Sequence, residues 1–160
     1  MRPFESVVEE HGARVLRVCR AVVGPVDADD AWSETFLAAL TAYPRLPEGA
    51  NVQAWLVTIA HRKAIDVVRA QSRAAIALGD LPEGQSTLGV PDAGSGELWS
   101  AVASLPERQR LAVAYHYLGG IPHKATAEII GGTPESIRRA ASDGIAALKK
   151  VYMRDERRTS

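Results

Sequence analysis

The chain has 160 residues, 46% of them hydrophobic but only 6% aromatic, with a formal net charge of zero and a single cysteine. Such a composition favours helical packing in one domain or two small ones, and it excludes an intrachain disulfide. Neither an apolar run of spanning length nor a basic-then-apolar leader is present, so the expectation is a soluble, cytoplasmic protein with no membrane insertion.

The charge is unevenly placed. Residues 1–73 carry nine Lys and Arg against nine Asp and Glu, residues 74–97 none against four, and residues 98–160 ten against six. The basic end suits phosphate contact, although its field is modest.

In chain order, Phe4, Val7, Val8, Val15, Val18 and Val22 recur at helical spacing and predict a first helix over Phe4 to Val23, weakened at Gly12 and stopped by Gly24 and Pro25. Cys19 lies in it, most simply as a buried thiol. Asp27 is placed to cap a second helix from Ala28 to about Ala42. In that helix Trp32, Phe36, Leu37 and Leu40 are expected inside and Asp29, Asp30, Ser33 and Glu34 outside, with the acids favouring the helix dipole. No lysine stands at a favourable spacing to pair with those acids, so the face suits a basic partner surface; a solvated helix start is the plainer alternative.

A loop from Pro44 to Ala50 leads to Asn51, a candidate cap for a third helix through about Arg73, with Trp55, Ile59, Ile65 and Val68 tracing its inner surface. His61, Arg62, Lys63, Arg69 and Arg73 on this helix are cationic or ionisable, with Asp66 offsetting one charge. Such a helix can lie along a DNA backbone. The amides of Asn51 and Gln53 in the preceding loop can pair with the edge of a base that has left its stack. Asn51 as a plain helix cap is the equal alternative, and the two roles are compatible.

From Ala74 to Gly96 the chain is rich in Gly, Pro and Ser and poor in bulky apolar groups, which predicts a flexible acidic linker. Beyond it, helices are expected over Glu97 to Ala103, Pro106 to Leu118, Pro122 to Ile130 and Thr133 to Lys150. In the last, Thr133 caps, Pro134 suits the first helical position, and Ile137, Ala141, Ile145 and Leu148 face a core. Glu135, Ser136, Arg138, Arg139, Ser142 and Asp143 are left to face a groove. With the tight link at Gly131 and Gly132, the last two helices read as a helix-turn-helix. The expected fold is therefore all-α: two small helical domains, 1–73 and 98–160, joined by a flexible linker over 74–97.

This order of features resembles the extracytoplasmic-function sigma factors, the two-domain bacterial initiation factors that give RNA polymerase its promoter choice. The segment Asp27-Ala-Asp-Asp-Ala-Trp-Ser-Glu-Thr-Phe-Leu resembles the family's acidic clamp-binding helix, and Asn51-Val-Gln-Ala-Trp-Leu through Arg69 its promoter-melting helix. Leu105-Pro-Glu-Arg-Gln-Arg, Tyr117-Leu-Gly-Gly-Ile and the helix-turn-helix resemble the domain that reads the upstream promoter element. The resemblance implies core RNA polymerase as partner of Asp29, Asp30, Ser33, Glu34 and Leu37. It implies promoter DNA as partner of Asn51, Gln53, Arg62, Lys63, Arg69, Arg73, Lys124, Thr133, Ser136, Arg138 and Arg139. An anti-sigma factor is a further expected partner, and in the family the acidic linker resembles a mimic of RNA, with a solvated tether kept soluble by its carboxylates as the alternative. No catalytic residue, metal or cofactor is expected, because the chemistry stays with the polymerase.

Several positions depart from the family pattern. The recognition helix is poor in base, with Ala140, Asp143 and Ile145 after the arginine pair, which lowers the expected number of phosphate contacts. Pro122 stands in place of a Ser cap, Ala125 and Thr126 replace Glu-Ile, Ser33 replaces Gln, and Gly144 costs its helix ~1 kcal/mol relative to Ala. Rival readings are a helix-turn-helix regulator acting without polymerase and a sigma-like interaction module. An enzyme is a poorer rival, since His11, His61, His116, His123 and Cys19 show no metal-ligand spacing.

Overall fold

A computed structural model describes residues 2–78 and 96–159 of the chain. The expected linker thus falls mostly outside the described residues. Seven α-helices follow one another among the described residues: α1 (Phe4–Val23), α2 (Ala28–Ala42), α3 (Val52–Leu78), α4 (Gly96–Ser104), α5 (Glu107–Val113), α6 (His123–Ile130) and α7 (Pro134–Thr159). A 3₁₀ turn at Tyr43–Arg45 follows α2, and a π-helical turn at Ala114–Leu118 extends α5. No strand occurs among the described residues.

The first unit packs α1, α2 and α3 around Val7, Val15, Cys19, Phe36, Ala39, Leu56 and Ile59. Aromatic rings close its lower end: Phe4 meets Tyr43 at 5.3 Å between centroids, and Trp32 meets Phe36 at 4.6 Å. Gly12, expected to weaken α1, instead lies under Trp32, whose indole N–H donates to the Gly12 carbonyl at 2.8 Å. Burial drives the Cys19 thiol up to about 12, so it stays protonated and inert, as a buried structural thiol should.

In the second unit α7 crosses α5 and α6 over a small-residue core of Ala112, Ala127, Ile137, Ala140 and Ala141. Gly144 belongs to this close approach, because a Cβ there would sit 2.6 Å from Val113 Cγ2.

The two units share a seam. Val18 and Ala21 of α1 and Val57 of α3 pack with Val102, Leu111, Ala114, Tyr115 and Ile121 of the second unit. Burying each larger aliphatic side chain stabilises by about 1.5–3 kcal/mol. Arg20 adds a cationic contact, its guanidinium carbon 4.7 Å from the Trp99 ring centroid.

Four sequence expectations need correction. Leu37 and Leu40 were expected inside but are 65% and 52% exposed, because the inner face of α2 is made by Ala28, Ala31, Thr35 and Ala39, which let the helices approach closely. On α3 the buried set is Leu56, Val57, Ile59, Ala60 and Ala64, while Trp55 and Ile65 are half-buried and Val68 is exposed. That helix also runs on to Leu78 rather than stopping near Arg73, through Ala74, Ala75, Ile76 and Ala77, whose alanines are strong helix formers. Asp27 makes no side-chain cap, since its carboxylate accepts a hydrogen bond from the Gln71 amide instead.

Candidate nucleic-acid and partner interfaces

Asp29, Asp30, Ser33 and Glu34 project from the first two turns of α2 into solvent. None of the three carboxylates is in an ion pair among the described residues. The helix N-terminus tolerates them through its dipole. Beside them stand the exposed Leu37 and Leu40. An apolar pair rimmed by carboxylates is what a protein interface of complementary charge requires.

On α3, Arg62, Arg69 and Arg73 are exposed and Lys63 is half-buried. The loop before this helix is ordered by Asn51, whose Oδ1 accepts from the Ala54 N–H at 3.1 Å. The cap reading of Asn51 therefore holds, and its amide NH₂ remains for another contact. Gln53 is held between the two units. Its Nε2 donates to the Gly119 carbonyl of the second unit, and its Oε1 accepts from Arg14 Nη1 at 3.1 Å.

His61 is also removed from the cationic set. Its Nδ1 is hydrogen-bonded to the Tyr115 hydroxyl at 2.5 Å, with the rings edge-to-face. Burial holds the imidazole below its ordinary pKa, with the nearby Glu107 carboxylate opposing and Arg62 assisting, so it is neutral at pH 7. Between α3 and α6 lies a cleft of about 550 Å³ lined by Asn51, Trp55, Thr58, His61 and Arg62 on one wall and Ala125, Glu128 and Ile129 on the other.

The helix-turn-helix is built by α6 and α7. Gly131 and Gly132 join them at φ values of 90° and 100°, a backbone region that favours glycine. Thr133 and Ser136 cap α7 reciprocally: the Ser136 N–H donates to Thr133 Oγ1, and the Thr133 N–H to Ser136 Oγ, each at 3.1 Å. Ile137 is fully buried under this turn, while Glu135, Ser136, Arg138, Arg139, Ser142 and Asp143 are exposed, as expected. Lys124 is exposed on α6. Arg108, not singled out in the sequence, pins the turn by donating to the Gly131 carbonyl at 2.9 Å and Ser136 Oγ at 3.2 Å.

His116 and His123 stack at 3.8 Å between centroids, and His116 Nδ1 bonds the Ile121 carbonyl at 2.8 Å. Burial, then His116 and Arg138, depress the His123 pKa. No cluster of three or more metal-ligating side chains occurs among the described residues. Nor is any helix among them long and apolar enough to cross a membrane.

The comparisons with known proteins agree with this layout. The family model for sigma-70 region 2 matches residues 7–74, and that for sigma-70 region 4 matches residues 95–148. The ECF RNA polymerase sigma factor SigD of Mycobacterium tuberculosis is 33% identical over 159 residues, covering 91% of this chain and 75% of SigD. SigC of the same species is 31% identical, covering 91% of this chain and 83% of SigC. Among solved structures, the sigma factor RpoE in complex with the anti-sigma factor NepR from Bartonella quintana superposes with a TM-score of 0.79 at 19% identity, over 94% of this chain and 96% of RpoE. CnrH in complex with the cytosolic domain of CnrY gives 0.68 at 21% identity, over 95% and 88%.

Proposed function

We infer the working parts from one premise: the chain belongs to the extracytoplasmic-function sigma factors of RNA polymerase. It is a transcription initiation factor that joins core polymerase and directs it to promoter DNA. The observation that carries this conclusion is the match of region 2 and region 4 in order, on helices that present an acidic docking face and a helix-turn-helix. A free-standing helix-turn-helix regulator is not favoured, since it would need no region 2.

Within that role, the first unit, through α3, docks and melts, the segment between α3 and α4 tethers, and the unit from α4 to α7 reads the upstream element. Asp29, Asp30, Ser33, Glu34 and Leu37 form the polymerase contact; their exposure and the lack of ion pairs to their carboxylates among the described residues support it. Arg62, Lys63, Arg69 and Arg73 follow the DNA backbone, and Asn51 with Gln53 takes an unstacked base of the downstream element. Thr133, Ser136, Arg138, Arg139 and Lys124 contact the upstream element from the second unit. The protein acts in the cytoplasm and performs no catalysis of its own. An anti-sigma-type partner is a further proposal, resting on the similar fold of RpoE solved with the anti-sigma factor NepR.

In vitro transcription with core polymerase on a genomic promoter pool tests this reading. Discrete start sites that depend on the added protein are expected. A holoenzyme that fails to assemble, or ignores every start site, refutes it.

A further inference from the structure

We propose that Arg108 is a positioning residue for promoter specificity: from the first turn of α5 it locks the helix-turn-helix link and fixes the angle at which α7 presents Arg138 and Arg139. The proposal rests on the reading of α7 as the helix that meets the upstream element. One nitrogen makes the lock. Arg108 Nη2 donates to the Gly131 carbonyl at 2.9 Å, where α6 ends, and to Ser136 Oγ at 3.2 Å, in the first turn of α7. A single charged donor group therefore ties three helices together.

The groups around the lock are shaped to it. Ser136 Oγ also accepts the Thr133 N–H at 3.1 Å and donates its proton to the Thr133 carbonyl at 2.9 Å, so both lone pairs and the hydroxyl proton are engaged in the free chain. The two glycines of the link differ in purpose. A Cβ on Gly131 would meet nothing within 4 Å, whereas one on Gly132 would overlap Arg108 Nη2. Gly131 only turns the chain; Gly132 turns it and also leaves the space that the guanidinium fills.

A second attachment between α5 and α7 lies further along. Gly144 packs against Val113, a Cβ there being 2.6 Å from Val113 Cγ2, and α5 is a firm base because Leu111, Ala112 and Val113 are buried. Ser136 and Gly144 are about 12 Å apart along the helix, at 1.5 Å per residue, and Arg138 and Arg139 lie between them. Two points fix the tilt of a helix; one lets it pivot. Without the lock, α7 keeps its packing at Gly144 and rocks about it. Phosphate contacts survive such rocking, because arginine side chains are long and rotatable. Base edges do not tolerate it, since their donors and acceptors must be met in line.

The test uses the full chain assembled with core polymerase, on the most active promoter recovered from the genomic pool, with its upstream element intact or scrambled. The readouts are the ratio of affinities for the two DNAs and the dependence of affinity on salt. Arg108→Ala should lower the ratio about five- to tenfold and leave the salt slope unchanged. Arg108→Lys should restore most of the ratio, because one ammonium can serve the same two acceptors. Gly132→Ala should reproduce the loss; if it fails to fold by circular dichroism, the two Arg108 variants carry the test. An unaltered ratio in Arg108→Ala, or no recovery in Arg108→Lys, would overturn the proposal. A salt slope reduced by about one in Arg108→Ala would overturn it as well, since Arg108 would then be a phosphate contact in its own right. A wild-type holoenzyme indifferent to scrambling would instead refute the reading of α7 beneath.

Discussion

Gly144 stands in the middle of α7, where alanine is worth about 1 kcal/mol more than glycine in intrinsic helix propensity. On that ground alone, Gly144→Ala should stabilise the protein. Packing reverses the sign. The new Cβ would lie 2.6 Å from Val113 Cγ2 and 3.4 Å from the Gln109 carbonyl oxygen. Val113 is buried, and its β-branched side chain has few rotamers in a helix, so it cannot swing aside freely. Overpacking of this kind costs about 1–3 kcal/mol, which leaves a net loss of about 1 kcal/mol after the propensity gain. With the two units unfolding together as one 160-residue body, such a loss lowers Tm by roughly 2–4 °C. Urea unfolding followed by circular dichroism measures it as a shift in midpoint at constant slope. Ser142→Ala, exposed on the same helix, is the control and should stabilise slightly. A Gly144→Ala variant more stable than wild type would show that α5 and α7 do not approach as closely as described, and with it would go the support beneath the outer face of α7.

Charge reversal at Asp29 and Asp30 to lysine should abolish co-purification with core polymerase while leaving the helical signal intact, since an unfavourable charge at a helix start costs only about 0.3–1 kcal/mol; retained binding would refute the docking face. Arg138→Ala with Arg139→Ala should weaken promoter binding and reduce the magnitude of its salt slope by about two, and an unchanged slope would mean that neither arginine meets a phosphate. Acid should destabilise the fold through His61 and His11, both held by burial below the ordinary histidine value of 6.5. The unfolded chain takes up these protons first, so the contribution is complete above pH 6.5 and is lost as pH falls through the lowered folded values. Thermal melts across that range should show Tm falling with pH, and His61→Gln should flatten the dependence; an equal slope in the variant would remove His61 from the account.

Helix ends set by local chemistry were legible. The bounds of α1 and α2 follow from Gly24, Pro25 and the helical spacing of valines and aromatics, and Thr133 caps α7 as its position before Pro134 implies. Which face of a helix turns inward was less so. A stripe of large apolar residues put Leu37 and Leu40 inside, whereas α2 lays its alanines against the core, and apolar size alone does not report how closely a neighbour approaches. The outward face of α7 was legible because its charges and its apolar stripe separate cleanly. The partners of Gln53 and His61 were not legible for another reason: they lie 66 and 54 residues away in sequence, and no local pattern encodes such a pairing. Tyr115 gives a faint signal in retrospect, as the middle of an Ala-Tyr-His segment that opens the π-helical turn before two glycines.

A formal charge of zero, odd for a protein that meets DNA, follows from this division of labour. Nonspecific affinity scales with the number of phosphates neutralised, and α7 offers Arg138 and Arg139 with Asp143 exposed on the same helix. Even with both proposed arginine contacts made, a carboxylate opposing them leaves little binding to duplex DNA at physiological salt. Weak binding by the lone protein is tolerable when a partner supplies the remaining attachment, because linked contacts act at a high effective concentration. On the docking proposed for it, the acidic face of α2 then matters more for promoter occupancy than any single proposed base contact. Removing the polymerase contact forfeits the linkage, whereas removing one arginine forfeits only one term within it.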